Sequence, residues 1–211
     1  MESTVNCGYL TTRFNKSNIR IGNRSMIHKN FNCEIYFIRH GESESNATPG
    51  VAAGINFDAP LTKLGHEQAK LLGKRFKNDK INFDKVYSST LIRAIQTTEN
   101  IFMGMDHPDN SFQKVPEMIE QQIPGWRGVP TEEAYTSETM TYIMEKGRDF
   151  VGPDGESIRE VQKRATNWLE DELIYNRKLC SNPQPLKIAI IGHGNTMRSI
   201  FHYIMGFDQR L

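Results

Sequence analysis

Two stretches of this chain end alike: Glu34-Ile35-Tyr36-Phe37-Ile38-Arg39-His40-Gly41 and Leu186-Lys187-Ile188-Ala189-Ile190-Ile191-Gly192-His193-Gly194. Each is a short apolar run rich in β-branched or aromatic residues, which reads as a buried strand. Each stops at a histidine followed by glycine. Between them the pattern alternates. Lys85-Val86-Tyr87-Ser88 is another short strand, and a weaker one lies near Phe112 to Val115. Helices are expected after Thr62, with Leu64, Ala69, Leu71, Leu72 and Phe76 as the apolar face, and over Leu91 to Phe102. Further helices are expected over Glu132 to Glu145, from Glu156 to about Tyr175, and over Met197 to Met205. Strands alternating with helices give an α/β fold, a mostly parallel central sheet flanked by helices.

In open parallel sheets ligands collect at the carboxyl ends of the strands. His40 and His193 are both expected at that edge. A glycine after each lets the backbone turn sharply and come close to a ligand. Arg39 precedes the first histidine, and Arg93 follows Ser88-Ser89 by one helical turn. Guanidinium forks match phosphate oxygens with short, charge-assisted bonds, so this edge reads as a phosphate cradle. A neutral imidazole can attack phosphorus without a separate base, and water can hydrolyse the resulting phosphoramidate. The remaining cations would stabilise the equatorial oxygens, where losing one preorganised donor typically costs about 3–4 kcal/mol. A carboxylic acid must still protonate the leaving alcohol and then activate water.

With Arg39-His40-Gly41-Glu42-Ser43 and Asn46, the chain resembles the histidine phosphatase superfamily, or phosphoglycerate-mutase-like family. The likeness continues through Pro60-Leu61-Thr62-Lys63-Leu64-Gly65, Gln68-Ala69 and Ser88-Ser89-Thr90-Leu91-Ile92-Arg93-Ala94. It resumes at Gly155-Glu156-Ser157 and closes with Gly192-His193-Gly194. The resemblance implies a phosphoglycerate-mutase-like fold and a phosphomonoesterase with His40 as the phosphorylated nucleophile. It implies that Arg39, Arg93 and His193 hold the transferred phosphoryl group, with Asn46, Ser43 and the backbone at Gly41 and Gly194 beside them. The family's proton donor corresponds to Glu120 in Met118-Ile119-Glu120, upstream of Pro124-Gly125-Trp126-Arg127-Gly128, with Glu117 as competitor. In that second motif Pro124 replaces a glycine and Arg127 a glutamate. No cofactor and no metal are called for, since His40 and His193 lack Asp or Cys ligands at metal spacing.

The alternatives are a phosphoglycerate mutase and an inactive member that binds phospho-ligands. Against the mutase, the stretch from Glu120 to Gly155 is short and offers only Arg127, Lys146 and Arg148 as cations. Gly152-Pro153-Asp154-Gly155-Glu156-Ser157 also resembles the phosphatase branch better. Intact Arg39, His40, Arg93 and His193 argue against an inactive protein. The expected partner is a small phosphorylated substrate, with a phosphoprotein still open, and its identity would rest on the irregular 118–153 segment.

The 211 residues favour one domain, and 37% hydrophobic with 24% charged residues suits a soluble globular protein. A net charge of +1 argues against nucleic-acid binding by bulk electrostatics. No stretch is long and apolar enough to cross a bilayer. Cys7, Cys33 and Cys180 are odd in number and far apart, which suits a reducing, cytoplasmic home. Residues 1–32 form a separate extension: between Ser3 and Cys33 there is no acid, while Arg13, Lys16, Arg20, Arg24 and Lys29 lie among Ser, Thr and Asn. That composition fits a disordered basic tail or a mitochondrial targeting segment. The phosphatase domain is expected over 33–211, lacking the strand that family members add after the last helix. Oligomeric state is not readable.

Overall fold

The computed structural model describes residues 3–6, 9–14, 33–48, 50, 58–107, 111–180 and 185–206. Its strands are β1 (Ser3–Asn6), β2 (Tyr9–Phe14), β3 (Cys33–Arg39), β4 (Lys85–Ser89), β5 (Gln113–Val115) and β6 (Leu186–Gly192). They form one sheet in the order β1-β2-β3-β6-β4-β5. The four strands from β3 to β5 are parallel, as the alternating pattern demands.

The two apolar runs lie side by side at the centre, and their alternate residues feed two cores. Ile35, Phe37, Ile188 and Ile190 point to one face, with Trp168, Leu169 and Ile200. Tyr36, Ile38, Ala189 and Ile191 point to the other, with Phe76, Ile101 and Met105. Burial on both faces is why these runs carry so little charge. The register pairs Arg39 with Gly192, and the His40 amide donates to the Gly192 carbonyl at 3.0 Å. Pairing the two strands therefore brings the two histidines together.

Five helices and helical turns matter most for the site: α1 (Glu44–Ala47), α2 (Lys63–Asn78), α3 (Ile92–Met105), α6 (Ile158–Leu169) and α8 (Gly194–Met205). Thr62 caps α2 by accepting from the Gly65 amide at 3.1 Å, as expected. The inward face of α2 differs from the expected stripe. Leu64 and Leu71 are 53% and 61% exposed, while Gly65, Ala69, Gly73 and Phe76 are buried. Small residues win because α3 runs backbone to backbone against α2. A Cβ at Gly73 would lie 2.1 Å from the Ile101 carbonyl, and one at Gly104 2.2 Å from that of Lys70.

Between Glu120 and α6 lie α4 (Thr131–Ala134) and α5 (Ser137–Lys146), where one helix is expected over 132–145. The break falls where Thr136 turns out of helical conformation and accepts from the Thr139 amide at 3.1 Å, starting α5 afresh. Helix α6 is capped by Ser157 and passes into a π-helical turn at Glu170–Ile174, followed by α7 (Arg177–Cys180). Helix α8 begins at Gly194, three residues before the expected Met197.

The N-terminal side departs from expectation as well. The fold is expected to start at Cys33, yet β2 pairs antiparallel with β3, from Leu10 opposite Phe37 to Phe14 opposite Cys33, and β1 pairs with β2. A hairpin drawn from the extension thus occupies the open edge of β3, where backbone donors and acceptors need partners. Residues 15–32 lie outside the described residues, as do 207–211, on which the expectation of a missing strand bears. Among the described residues no helix is long and apolar enough to cross a membrane.

Candidate active site

The site sits at the carboxyl ends of β3 and β6, as the sheet topology requires. His40 leaves β3 with its ring buried, 9% exposed. Its Nδ1 lies 2.7 Å from the Gly41 carbonyl, an acceptor only, so Nδ1 carries the proton. Nε2 is then the lone-pair nitrogen, and the Arg93 Nε–H donates to it at 3.2 Å. Burial, with the positive charges of Arg93 and Arg39, lowers the His40 pKa from 6.5 to about 4, against the opposing bond to Gly41. His40 is therefore neutral at pH 7. Arg93 is itself 6% exposed; burial lowers its pKa, while the nearby Glu120 and Asp58 carboxylates favour its charge.

His193 is fully buried, its ring centroid 5.1 Å from that of His40. Its Nε2 lies 2.8 Å from the Ser89 hydroxyl, and its buried Nδ1 has no hydrogen-bond partner among the described residues. Ser89 Oγ also accepts from the Leu91 amide at 3.3 Å. The Ser89 hydroxyl can then either donate to His193 Nε2 or accept from it, and when it donates the ring's proton sits on the orphan Nδ1. Burial first, then the charges of Arg93 and His40, hold the His193 pKa well below 6.5. Two imidazoles whose pKa values are both held low thus lie side by side, with Nε2 the lone-pair nitrogen at His40.

His193 is also the N-cap of α8. Glu120 uses that helix end: one carboxylate oxygen accepts from the Asn195 amide at 3.2 Å and the other from the Gln121 amide at 2.8 Å. A Cβ at Gly194 would lie 3.8 Å from Glu120 Oε2 and 4.0 Å from Arg39 Nε, so the carboxylate and the exposed Arg39 guanidinium flank the same turn. Glu117 contributes its backbone carbonyl, which accepts from Arg164.

The other expected residues divide. A Cβ at Gly41 would lie 2.5 Å from the Gly65 carbonyl, so the close approach of the N-terminus of α2 requires glycine there. Ser43 is fully buried. Its hydroxyl donates to Asn46 Oδ1 at 2.9 Å and its amide does so at 3.2 Å, which commits Ser43 to orienting Asn46. The exposed Asn46 keeps its amide NH2 outside these bonds.

Several supporting residues were not expected. Thr97 accepts from the Gly41 amide at 3.0 Å and donates to the Arg93 carbonyl at 2.7 Å, joining the His40 loop to the arginine's helix. Asp58 accepts from the Ile92 amide at 2.5 Å at the start of α3. Thr97 lies four residues after Arg93 in the same helix, the spacing of one helical turn, and that is the signal that could have found it. Among the described residues no group of three or more His, Cys, Asp or Glu could hold a metal ion.

Two histidines, a buried arginine and a carboxylate thus meet at the carboxyl edge of the parallel strands, a set of groups suited to a phosphoryl group. The model of the histidine phosphatase superfamily (branch 1) matches residues 35–211, and the chain belongs to that family. It is 27% identical over 179 residues to the 2,3-bisphosphoglycerate-dependent phosphoglycerate mutase of Bartonella henselae, covering 82% of each protein. It is 31% identical over 156 residues to the fructose-2,6-bisphosphatase TIGAR B of Danio rerio, covering 72% of this chain and 57% of that protein. A solved phosphoserine phosphatase from Entamoeba histolytica, in complex with 3-phosphoglyceric acid, superposes with a TM-score of 0.65 at 25% identity. That match covers 83% of this chain and 81% of the other.

Proposed function

We propose that this protein hydrolyses the monoesters of small phosphorylated metabolites through a phosphohistidine on His40 Nε2. The observation that carries the reading is the adjacent pair of neutral imidazoles: Nε2 of His40 unprotonated beside Arg93, and Nδ1 of His193 buried without a partner among the described residues. A phosphoryl oxygen would satisfy that orphan donor and take over the Arg93 bond. Nε2 attacks phosphorus and the bond to the ester oxygen breaks. Glu120 gives its proton to the departing alkoxide. The ring's gathering positive charge is met at Nδ1–H by the Gly41 carbonyl. In the second half Glu120 takes a proton from water, the water oxygen bonds to phosphorus, and the N–P bond breaks. Arg39 and Asn46 would hold the outer phosphoryl oxygens. The site needs no metal ion for any of these steps, so activity is expected to survive EDTA.

The test is covalent trapping. Acid-labile, base-stable label should appear rapidly from a phosphorylated substrate and vanish in His40→Ala. Label that persists in the variant would overturn the assignment.

A mutase reading is favoured by the names of relatives such as the Bartonella henselae protein. A mutase must hold its displaced intermediate and exclude water, which needs a closed, cation-lined pocket. Here the 120–155 stretch carries only Arg127, Lys146 and Arg148. Release of inorganic phosphate should therefore exceed interconversion of 2- and 3-phosphoglycerate. Phosphoserine and 3-phosphoglycerate belong in the first substrate panel, because the Entamoeba histolytica neighbour is a phosphoserine phosphatase in complex with 3-phosphoglyceric acid.

A further inference from the structure

The segment that delivers Glu120 has little backbone structure of its own. Strand β5 ends at Val115, a single 3-10 turn covers Pro116–Met118, and the next turn begins at Pro124. Segments without a ladder need side chains to satisfy their carbonyls and to fix their course. Two of those carbonyls are served by one residue of α6. The Arg164 guanidinium donates to the Glu117 carbonyl through Nη1 at 2.5 Å and to the Glu120 carbonyl through Nη2 at 3.3 Å. The same group is held bidentately by Glu156, with Nε to Oε2 at 3.0 Å and Nη2 to Oε1 at 2.8 Å.

Glu156 in turn grips the far end of the segment. Its Oε1 accepts from the Gln122 amide at 3.1 Å, its own amide donates to the Gln122 carbonyl at 2.9 Å, and its carbonyl accepts from Gln121 Nε2 at 3.0 Å. Thr196 of α8 donates to the Ile119 carbonyl at 2.6 Å and completes the seating. The two side chains of the ion pair are 21% and 20% exposed, so the pair is largely removed from water. Partly buried, bidentate and committed at both ends, it differs from the solvated surface pairs that contribute little.

We infer that Arg164, held by Glu156, is a positioning residue that sets the Glu120 carboxylate at the N-terminus of α8 for proton transfer to the leaving group. The inference rests on Glu120 being the acid, as proposed above. Arg164 touches no reacting atom; it fixes the backbone on either side of the acid. A lysine could keep one charge contact to Glu156 but could not fork to two carbonyls and a carboxylate at once. Misplacing an acid by about an ångström can cost about a hundred-fold in rate, and the loss should follow the leaving group's need for a proton.

The experiment compares wild type, Arg164→Lys, Arg164→Ala and Glu120→Gln on glycerol phosphate and on p-nitrophenyl phosphate, with single-turnover measurement of the phosphorylation step. The Arg164 variants should lose about a hundred-fold in kcat on the alkyl ester and far less in the p-nitrophenyl burst. Millimolar guanidinium should restore part of the alkyl activity to Arg164→Ala and none to Glu120→Gln. Equal losses on both esters, in step with a lowered melting temperature, would make Arg164 a fold-stabilising residue only and overturn the inference while the Glu120 reading stands. If Glu120→Gln itself shows no leaving-group dependence, the acid is misassigned and the role of Arg164 falls with it. Should Arg164→Ala fail to fold, Arg164→Lys decides by the same comparison.

Discussion

The chemistry of this site turns on which imidazole nitrogen holds the proton. At His40 the Gly41 carbonyl decides it, and the low pKa of about 4 keeps Nε2 free. The acid limb of kcat/KM should therefore fall near pH 4, not near the ordinary histidine value of 6.5, in a pH–rate profile with a substrate of constant ionisation. A limb at pH 6.5 would show that burial does not control the nucleophile. The same shift has a consequence for stability. His40 folded is unprotonated between pH 4 and 6.5, whereas unfolded it binds a proton there, so the unfolded state is favoured as pH falls. His193, shifted the same way, adds to the effect. Urea midpoints should drop from pH 6.5 toward 4, and His40→Asn should flatten that slope. At His193 the partner is Ser89, and Ser89→Ala should lose the preference for the Nδ1–H tautomer, visible in imidazole nitrogen shifts, with kcat reduced by about ten-fold or more as for a loosened preorganised donor. His40, Arg93 and His193 were legible in the sequence because each ends a strand or opens a helix in a fixed phrase. Thr97 and the task of Ser89 were not, since a hydroxyl announces neither its partner nor its direction.

Among the elements, the strand ends were legible and the helix faces less so. An apolar run followed by His-Gly states where a strand stops, and the parallel register then follows from burial on both faces. The α2 stripe misled because glycine scores as neither apolar nor polar, while the packing of α2 on α3 and on the nucleophile's loop depends on glycine. A Cβ at Gly65 would lie 2.0 Å from the Glu42 carbonyl, a backbone atom that cannot swing aside. Gly65→Ala should push α2 off the 40–43 loop and cost more than the roughly 1–3 kcal/mol of ordinary overpacking. It should also impair the His40 phosphorylation step, because Gly41 and Glu42 move with the loop. A variant with unchanged melting temperature and activity would show that the loop yields freely. At the opposite edge, the β1–β2 hairpin could not be read from a basic, acid-free composition, since strand pairing depends on an available edge. If that edge is covered as the register indicates, deleting residues 1–14 should speed amide exchange along β3 and promote self-association; unchanged exchange would argue that the hairpin does not protect it.

At the scale of the whole molecule, the protein divides into a sheet with two large cores and a small cap over residues 123–151 that has its own. The cap's cluster consists of Trp126 and Ala134, with Ile123, Val129, Ile143 and Phe150 packed against them, and it shares no side chain with the other two clusters. Trp126, 6% exposed, packs against Tyr135 with 4.8 Å between ring centroids and the rings tilted by 55°. Around it Tyr142, Met144 and Val151 are 48%, 75% and 50% exposed, so the cap presents apolar surface that the sheet does not bury. Truncating a buried tryptophan typically costs about 3–5 kcal/mol. Here the loss is bounded by the free energy of opening the cap, because the candidate site is built on β3, β6, α3 and α8, whose clustered apolar side chains belong to the other two clusters among the described residues. Trp126→Ala should therefore open the cap locally while the rest stays folded. Amides of α5 should exchange faster, with those of β3 and β6 unchanged. The p-nitrophenyl phosphate burst should keep its rate, since that ester needs little from its surroundings beyond the phosphoryl cradle. Discrimination among natural phosphate monoesters, measured as ratios of kcat/KM, should collapse toward equality. If instead Trp126→Ala lowers the cooperative unfolding midpoint and the burst rate together, cap and sheet unfold as one unit and selectivity must be sought in residues nearer the histidines.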